Sequence, residues 1–290
     1  MKFAVFTDGA SNLPGKYIQK YGIHPLPCSY TMDGEPGVYQ GDIDAFDTKA
    51  YYDRLRAGSR MKTTLINSHQ FESYFRPVLE QGLDVVYVGM SSGISGTIQA
   101  AKIAAEELME EFPQRTVWVV DSLGAGFGAG LLAIRAAQLA GEGMTAGEAG
   151  PILDAEVMHT LNFFTVDDLN FLKASGRVSG ATAAIGTVLS IKPILWGDTT
   201  GHIAARSKVR GRKKALEALA ELYREHIGEN GVDMLFISHG DCLEEAETLA
   251  EKLKAICPPR ELTVCPHEPF TGSHVGPGML ALYFFGTARK

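Results

Sequence analysis

Apolar and polar positions alternate along this chain in blocks that change period. Phe3 to Phe6 is a short apolar run closed by Thr7-Asp8, which predicts a buried strand and the turn after it. Val85 to Met90 is a second such run, followed at once by the small residues Ser91 to Thr97. Beyond it, Ile98, Ala101, Ala105, Leu108 and Phe112 recur at spacings of three and four, which predicts a helix with one apolar face. Val117 to Val120 predicts a third strand, ending at Asp121-Ser122, and the glycine-rich stretch Gly124 to Gly130 opens another helix that runs to about Ala140. Strand and helix in this order imply a parallel sheet with helices on its faces. Around Gly141 to Gly150 the residues turn small, and Pro151 is expected to start the next helix.

The second half reads differently. Its strand candidates are Phe163–Val166, Ile194–Trp196, His202–Ala205, Met234–Ser238, Leu262–Cys265 and Met279–Phe285. Helices fit Thr182–Leu189, Lys213–His226 and Leu243–Ile256, and Gly197 to Gly201 between two strands predicts a hairpin. The expectation is an α/β protein of two domains, 1–160 with a parallel sheet and 161–290 of α+β character with a largely antiparallel sheet. A length of 290 residues suits two such cores.

Composition changes this picture little. Hydrophobic residues make up 45% and charged residues 21%, as in an ordinary globular protein. The N-terminus meets a charge too early for a signal peptide, and no apolar run approaches the ~20 residues needed to span a bilayer, so a cytoplasmic protein is expected. Cys28, Cys242, Cys257 and Cys265 have no paired spacing, and the histidines form no ligand pattern, so no metal site is expected. The net charge of −7 argues against nucleic-acid binding. One exception is local: Arg206, Lys208, Arg210, Arg212, Lys213 and Lys214 fill six of nine positions. They form either a solvated loop and helix start or a patch for an acidic partner, a phosphate or a membrane surface.

Several segments could carry chemistry. Ser91-Ser92-Gly93-Ile94-Ser95-Gly96-Thr97, between a buried strand and an amphipathic helix, offers hydroxyls, free backbone N–H groups and a helix dipole, a combination suited to phosphate or carboxylate. Plain helix capping is the simpler alternative. Gly89-Met90-Ser91-Ser92-Gly93 also matches the G-x-S-x-G nucleophile elbow, with Ser91 as nucleophile, His274 as base and Asp233 or Asp241 as acid, although too few strands precede it for that fold. Gly124-Ala125-Gly126-Phe127-Gly128-Ala129 resembles a relaxed dinucleotide fingerprint, but close helix packing explains its glycines better. In Gly272-Ser273-His274-Val275-Gly276-Pro277-Gly278 the histidine is expected in an open loop, able to donate a hydrogen bond to a carboxylate. Lys62-Thr63-Thr64 places two hydroxyls in a loop or caps the following helix. The segment from Asp168 ends a helix at Gly176, with Arg177 just past it, as a cation near the negative end of a helix dipole would be.

Taken in order, these motifs resemble the DegV family, whose characterised members include the fatty-acid-binding subunits of bacterial fatty acid kinases. Thr7-Asp8-Gly9-Ala10-Ser11-Asn12-Leu13-Pro14 is similar to the family's opening T-D-S-x-S-D-L-P, and Ser91 to Thr97 to its S-S-G-L-S-G-T turn. Lys62-Thr63-Thr64 falls where the family has K-T-S-Q-P, and Asp121-Ser122, Leu172 to Arg177, Lys192-Pro193, Lys208 to Arg210 and Gly272 to Gly278 also fit. The resemblance implies a Rossmann-like first domain, an acyl chain buried in a tunnel between or along the domains, and no catalytic turnover by this chain alone. It implies that Thr63, Ser92 or Ser91, and His274 hold the carboxylate, supported by Thr64, Gly93, Gly272 and Gly276. Arg177 and Arg210 would face the head group or a partner. That partner would be a kinase subunit that phosphorylates the carboxyl, and the acyl-phosphate would feed phospholipid synthesis; transient membrane contact is also implied. The chain departs from the family at Thr64-Leu65-Ile66 and at Gly9-Ala10 and Asn12.

Overall fold

A computed structural model describes residues 1–178 and 190–290; the helix expected at Thr182–Leu189 lies outside the described residues. The chain divides into two units, one of Met1–Phe46 with Lys62–Val157, the other of Asp47–Met61 with Met158–Lys290. An excursion of the N-terminal half therefore belongs to the second unit, which a division at 160/161 does not anticipate.

The first unit contains β1 (Phe3–Asp8), α1 (Gly15–Tyr21), β2 (Ile23–Leu26), β3 (Cys28–Met32) and β4 (Glu35–Tyr39). After the excursion, which holds α2 (Thr48–Arg56), come β5 (Met61–Thr63), α3 (Ser68–Glu80), β6 (Asp84–Gly89), α4 (Thr97–Glu111), β7 (Val117–Asp121), α5 (Phe127–Gly141) and α6 (Ala146–Glu156). Four strands in the order β2-β1-β6-β7 form an all-parallel sheet, as the alternation of strand and helix predicts. A second, small sheet runs β4-β3-β5, and the apolar pattern of the sequence does not predict it. The core on one face gathers Phe6, Phe71, Phe75, Tyr87, Ile98 and Leu108. Gly130 on α5 lies where a Cβ would come within 2.7 Å of the Ser11 carbonyl, so close packing accounts for a glycine there. α6 starts five residues before Pro151, at a capping box in which Thr145 and Glu148 exchange hydrogen bonds. The cap, not the proline, sets that terminus.

The second unit continues with β8 (Thr160–Thr165), α7 (Asn170–Ser175), β9 (Ile191–Gly197), β10 (Ile203–Arg210), α8 (Arg212–His226), β11 (Met234–His239), α9 (Leu243–Ile256), β12 (Glu261–Pro266), α10 (Pro269–Val275) and β13 (Leu280–Phe285). Its sheet runs β10-β9-β8-β13-β11-β12, and among the strand pairings of the described residues only β11–β12 is parallel. Phe163, Leu219, Tyr223, Ile237, Leu282 and Phe284 are among the residues of its core. The basic run is not a loop. Arg206, Lys208 and Arg210 are exposed on the edge strand β10, while Val209 packs inward on the core. Charged residues on an edge strand discourage pairing with another chain. Arg206 also covers the Trp196 ring, and Arg212 pairs with Glu245.

Candidate binding site

The serine turn follows β6, and a buried carboxylate braces its first residues. Asp8, at the end of β1, accepts the Tyr87 hydroxyl at 2.5 Å and the Met90 N–H at 2.6 Å. Burial pushes its pKa above the usual carboxylate value, while those two hydrogen bonds pull it down. Replacing Asp8 by alanine strands a buried hydroxyl and a buried N–H. The expected loss is about 2–3 kcal/mol, read as a lower urea midpoint; a midpoint equal to wild type would contradict this bracing role.

Inside the turn, the backbone N–H groups of Ser91 to Ser95 and of Thr97 are already used. The Ser91 N–H goes to the Gly124 carbonyl at 2.8 Å and the Ser92 N–H to Asp121 Oδ1 at 3.1 Å. The Gly93 N–H is accepted by Ser91 Oγ at 3.0 Å, and the N–H groups of Ile94 and Ser95 by the Ser91 carbonyl. Thr97 N–H is accepted by Ser95 Oγ. The expectation that these N–H groups would face an anion is therefore corrected: the fold consumes them to close the turn. Side chains remain. Ser91 is wholly buried, whereas Ser92 is exposed. Of the two serines, Ser92 is the one a ligand can reach.

Thr63 is half-buried at the end of β5, and Thr64, exposed, donates its N–H to the Ser29 carbonyl at 3.0 Å. The segment is thus strand, not loop, and it does not cap α3. That cap is Asn67, which exchanges hydrogen bonds with Gln70 at 3.0 Å each way. The Thr63 segment and the serine turn are neighbours in the first unit. A Cβ at Gly96 would lie 3.6 Å from Leu65 Cδ2, and Ile66 shares its core with Ile98 of α4.

In the second unit His274 sits in the last turn of α10, not in an open loop. Pro269 opens that helix, and the buried Glu268 caps it, accepting the Phe270 N–H at 2.5 Å and the Thr271 N–H at 2.8 Å. Gly272 and Gly276 are likewise helix and helix-cap positions: Gly272 packs under the Tyr52 hydroxyl and Gly276 under the Phe171 ring. Tyr51 and Tyr52 of α2 donate to the carbonyls of Pro269 and His267 at 2.8 and 3.1 Å. His274 is half-buried; loss of hydration, and then the Arg177 charge, push its pKa down to about 4. At neutral pH the ring is therefore neutral, with one donor and one acceptor nitrogen. Arg177 follows Gly176, whose left-handed φ of 70° ends α7 as expected, and donates to the Ser175 carbonyl. Arg210 is exposed at the end of β10.

The nucleophile reading gains no support from this arrangement. Ser91 is inaccessible and its hydroxyl is engaged by Gly93 N–H. Of the proposed acids, Asp241 pairs with Arg56 and Asp233 with Arg260. Among the described residues, no group of three or more acidic, histidine or cysteine side chains could hold a metal, and no helix is long and apolar enough to cross a membrane.

A family model described as an uncharacterised protein of the DegV family matches residues 2–287. The chain belongs to the DegV family. A curated DegV domain-containing protein of Clostridium perfringens is 36% identical over 290 residues, covering 100% of this chain and 99% of its own. Among solved DegV structures, a lipid-binding protein of Thermotoga maritima superposes with a TM-score of 0.86 at 27% identity, covering 100% of both chains. A Thermus thermophilus DegV family protein, described for its fatty acid binding, gives a TM-score of 0.85 at 28% identity, covering 99% of this chain and 100% of its own. DegV of Bacillus subtilis, a fatty acid binding protein, gives 0.84 at 27%, with the same coverage. The resemblance read from the motifs is thereby confirmed.

Asp8 and Asp121 escaped the sequence reading as parts of the turn. Each ends a strand, Asp8 beside Leu26 of β2 and Asp121 beside Gly89. Their signals are a strand-terminal acid followed by a small residue and a place in the family's motifs, and what each acid braces emerges only once the strands are ordered.

Proposed function

We propose that this chain binds a long-chain fatty acid. The observation that carries the reading is whole-chain similarity, at TM-scores of 0.84 to 0.86, to DegV proteins described as lipid or fatty acid binding. The chemistry of the candidate residues supports it. The hydroxyls of Ser92 and Thr63 and the neutral imidazole of His274 are each able to donate to a carboxyl group. Neutral donors can replace the hydration a carboxylate loses, provided several are available. Enclosing a chain of about 16 carbons would gain roughly 11 kcal/mol gross at ~0.8 kcal/mol per CH₂, reduced by the cost of ordering it. The same reading extends to presentation of the carboxyl to a separate kinase for acyl-phosphate formation, with Arg177 and Arg210 as basic groups toward the head group or that partner.

Ser92→Ala, in protein stripped of lipid and titrated with oleate by calorimetry, is expected to weaken binding about tenfold, the effect of one lost hydrogen bond to a charged group. Unchanged affinity would remove Ser92 from the site. Wild-type protein that takes up no oleate would remove the function.

A further inference from the structure

We infer that Asp121 is a positioning residue for the ligand-facing Ser92, and that its negative charge sets a limit on how tightly the turn holds an anion. The inference rests on the fatty-acid reading above. Asp121 ends β7 opposite Gly89, the last residue of β6. A single carboxylate oxygen, Oδ1, accepts both the Ser92 N–H and the Leu123 N–H, each at 3.1 Å. Leu123 holds a left-handed φ of 47°, a conformation unusual for its side chain, which this bond helps to hold.

Two further bonds tie the same pair of turns together: Ser122 N–H to the Gly89 carbonyl at 3.2 Å, and Ser91 N–H to the Gly124 carbonyl at 2.8 Å. The backbone on either side of Ser92 is thus fixed through Ser91 and Gly93, but its own N–H depends on Asp121. Orientation of the exposed Ser92 hydroxyl follows from orientation of that peptide. The chemistry has a second side. A carboxylate hydrogen-bonded to the N–H of the very residue whose hydroxyl receives an anionic head group repels that head group. Position and charge therefore act in opposite directions on affinity, and substitutions can separate them. Asparagine keeps the acceptor oxygen in place and removes the charge. Glutamate keeps the charge and moves the acceptor by one methylene. Alanine removes both.

The test is oleate affinity of delipidated full-length wild type and variants, by calorimetry at low ionic strength, with thermal midpoints recorded for each. Asp121→Asn is expected to bind about threefold tighter, the size of a like-charge contact near a surface. Asp121→Glu and Asp121→Ala are expected to bind about fivefold to tenfold weaker. In a Ser92→Ala background the positioning effect is already lost, so Asp121→Ala should not weaken binding further and, by removing the charge, should tighten it by up to about threefold. Should the alanine variant fail to fold, the order of Asn above wild type above Glu carries the test. Asn weakened together with Glu, or an Ala effect that adds in full to Ser92→Ala, overturns the inference while leaving fatty acid binding intact. Wild type that takes up no oleate overturns both.

Discussion

Gly276→Ala is expected to lower the unfolding free energy by about 3 kcal/mol, the combined effect of backbone strain and overpacking. Gly276 caps α10 with φ 77° and ψ 176°, a region that essentially only glycine occupies. A Cβ there would lie 2.5 Å from Phe171 Cδ2, against a ring that the Arg60 guanidinium covers from 5.6 Å. Neither the backbone nor the ring can yield without disturbing the helix end that carries His274. Gly228→Ala is the control: a Cβ at Gly228 meets nothing within 4 Å and its φ is not positive. Urea unfolding followed by tryptophan fluorescence should show a marked fall in midpoint for Gly276→Ala and a shift of under about 0.5 kcal/mol for Gly228→Ala. Equal midpoints for the two variants would refute the strain argument.

Acid should destabilise the protein through its buried histidines. His267 is 2% exposed, with Nδ1 at 2.8 Å from Ser238 Oγ and Nε2 at 2.8 Å from Thr271 Oγ1. Burial, and secondarily the neighbouring His239, push its pKa down to about 3. His274 is pushed down to about 4. Both groups are held neutral by the fold and regain an ordinary pKa near 6.5 on unfolding. As pH falls below about 6.5 the unfolded chain takes up protons that the folded chain refuses, so stability rises with pH across this window. The full contribution is present above about pH 6.5 and is lost progressively toward pH 3 to 4. For His267 the loss is on the order of 4 kcal/mol over that range. Urea midpoints between pH 7 and pH 4.5 should therefore fall more steeply for wild type than for His267→Gln. Parallel curves would show that His267 is not held neutral by the fold.

Much of the architecture was legible because the buried strands are continuous apolar runs. Val85 to Met90, Val117 to Val120 and Met234 to Ser238 can hardly be anything else, and the change from strand–helix alternation to closely spaced strands separates a parallel sheet from an antiparallel one. The strands β2 to β4 were not legible for a physical reason. They are short, interrupted by Pro25, Pro36 and Gly37, and β4 buries only Tyr39. The helix at His274 was hidden by its own glycines, although Glu268-Pro269 is a cap followed by a proline at the first helical position, a start signal present in the sequence.

The candidate site was legible in its hydroxyls and not in its wiring. Ser91, Ser92 and Gly93 announce a tight turn, but which serine faces outward depends on Ser91 spending its oxygen on Gly93 N–H. Likewise, Asp8 and Asp121 reach the turn from 82 and 29 positions away in sequence, so only the strand order β1-β6-β7 brings them there. Backbone donors that look free when a strand–turn–helix is read alone are claimed by distant partners at Met90, Ser91 and Ser92, and by the turn itself at Gly93 to Ser95.

Lipid extracted under denaturing conditions from freshly purified protein, quantified by mass spectrometry, tests the functional claim most directly. The account predicts close to one long-chain fatty acid per chain, or uptake of one equivalent of oleate or palmitate when the protein has been stripped. A lipid fraction without fatty acid, from folded protein that also fails to take up either acid, would contradict it.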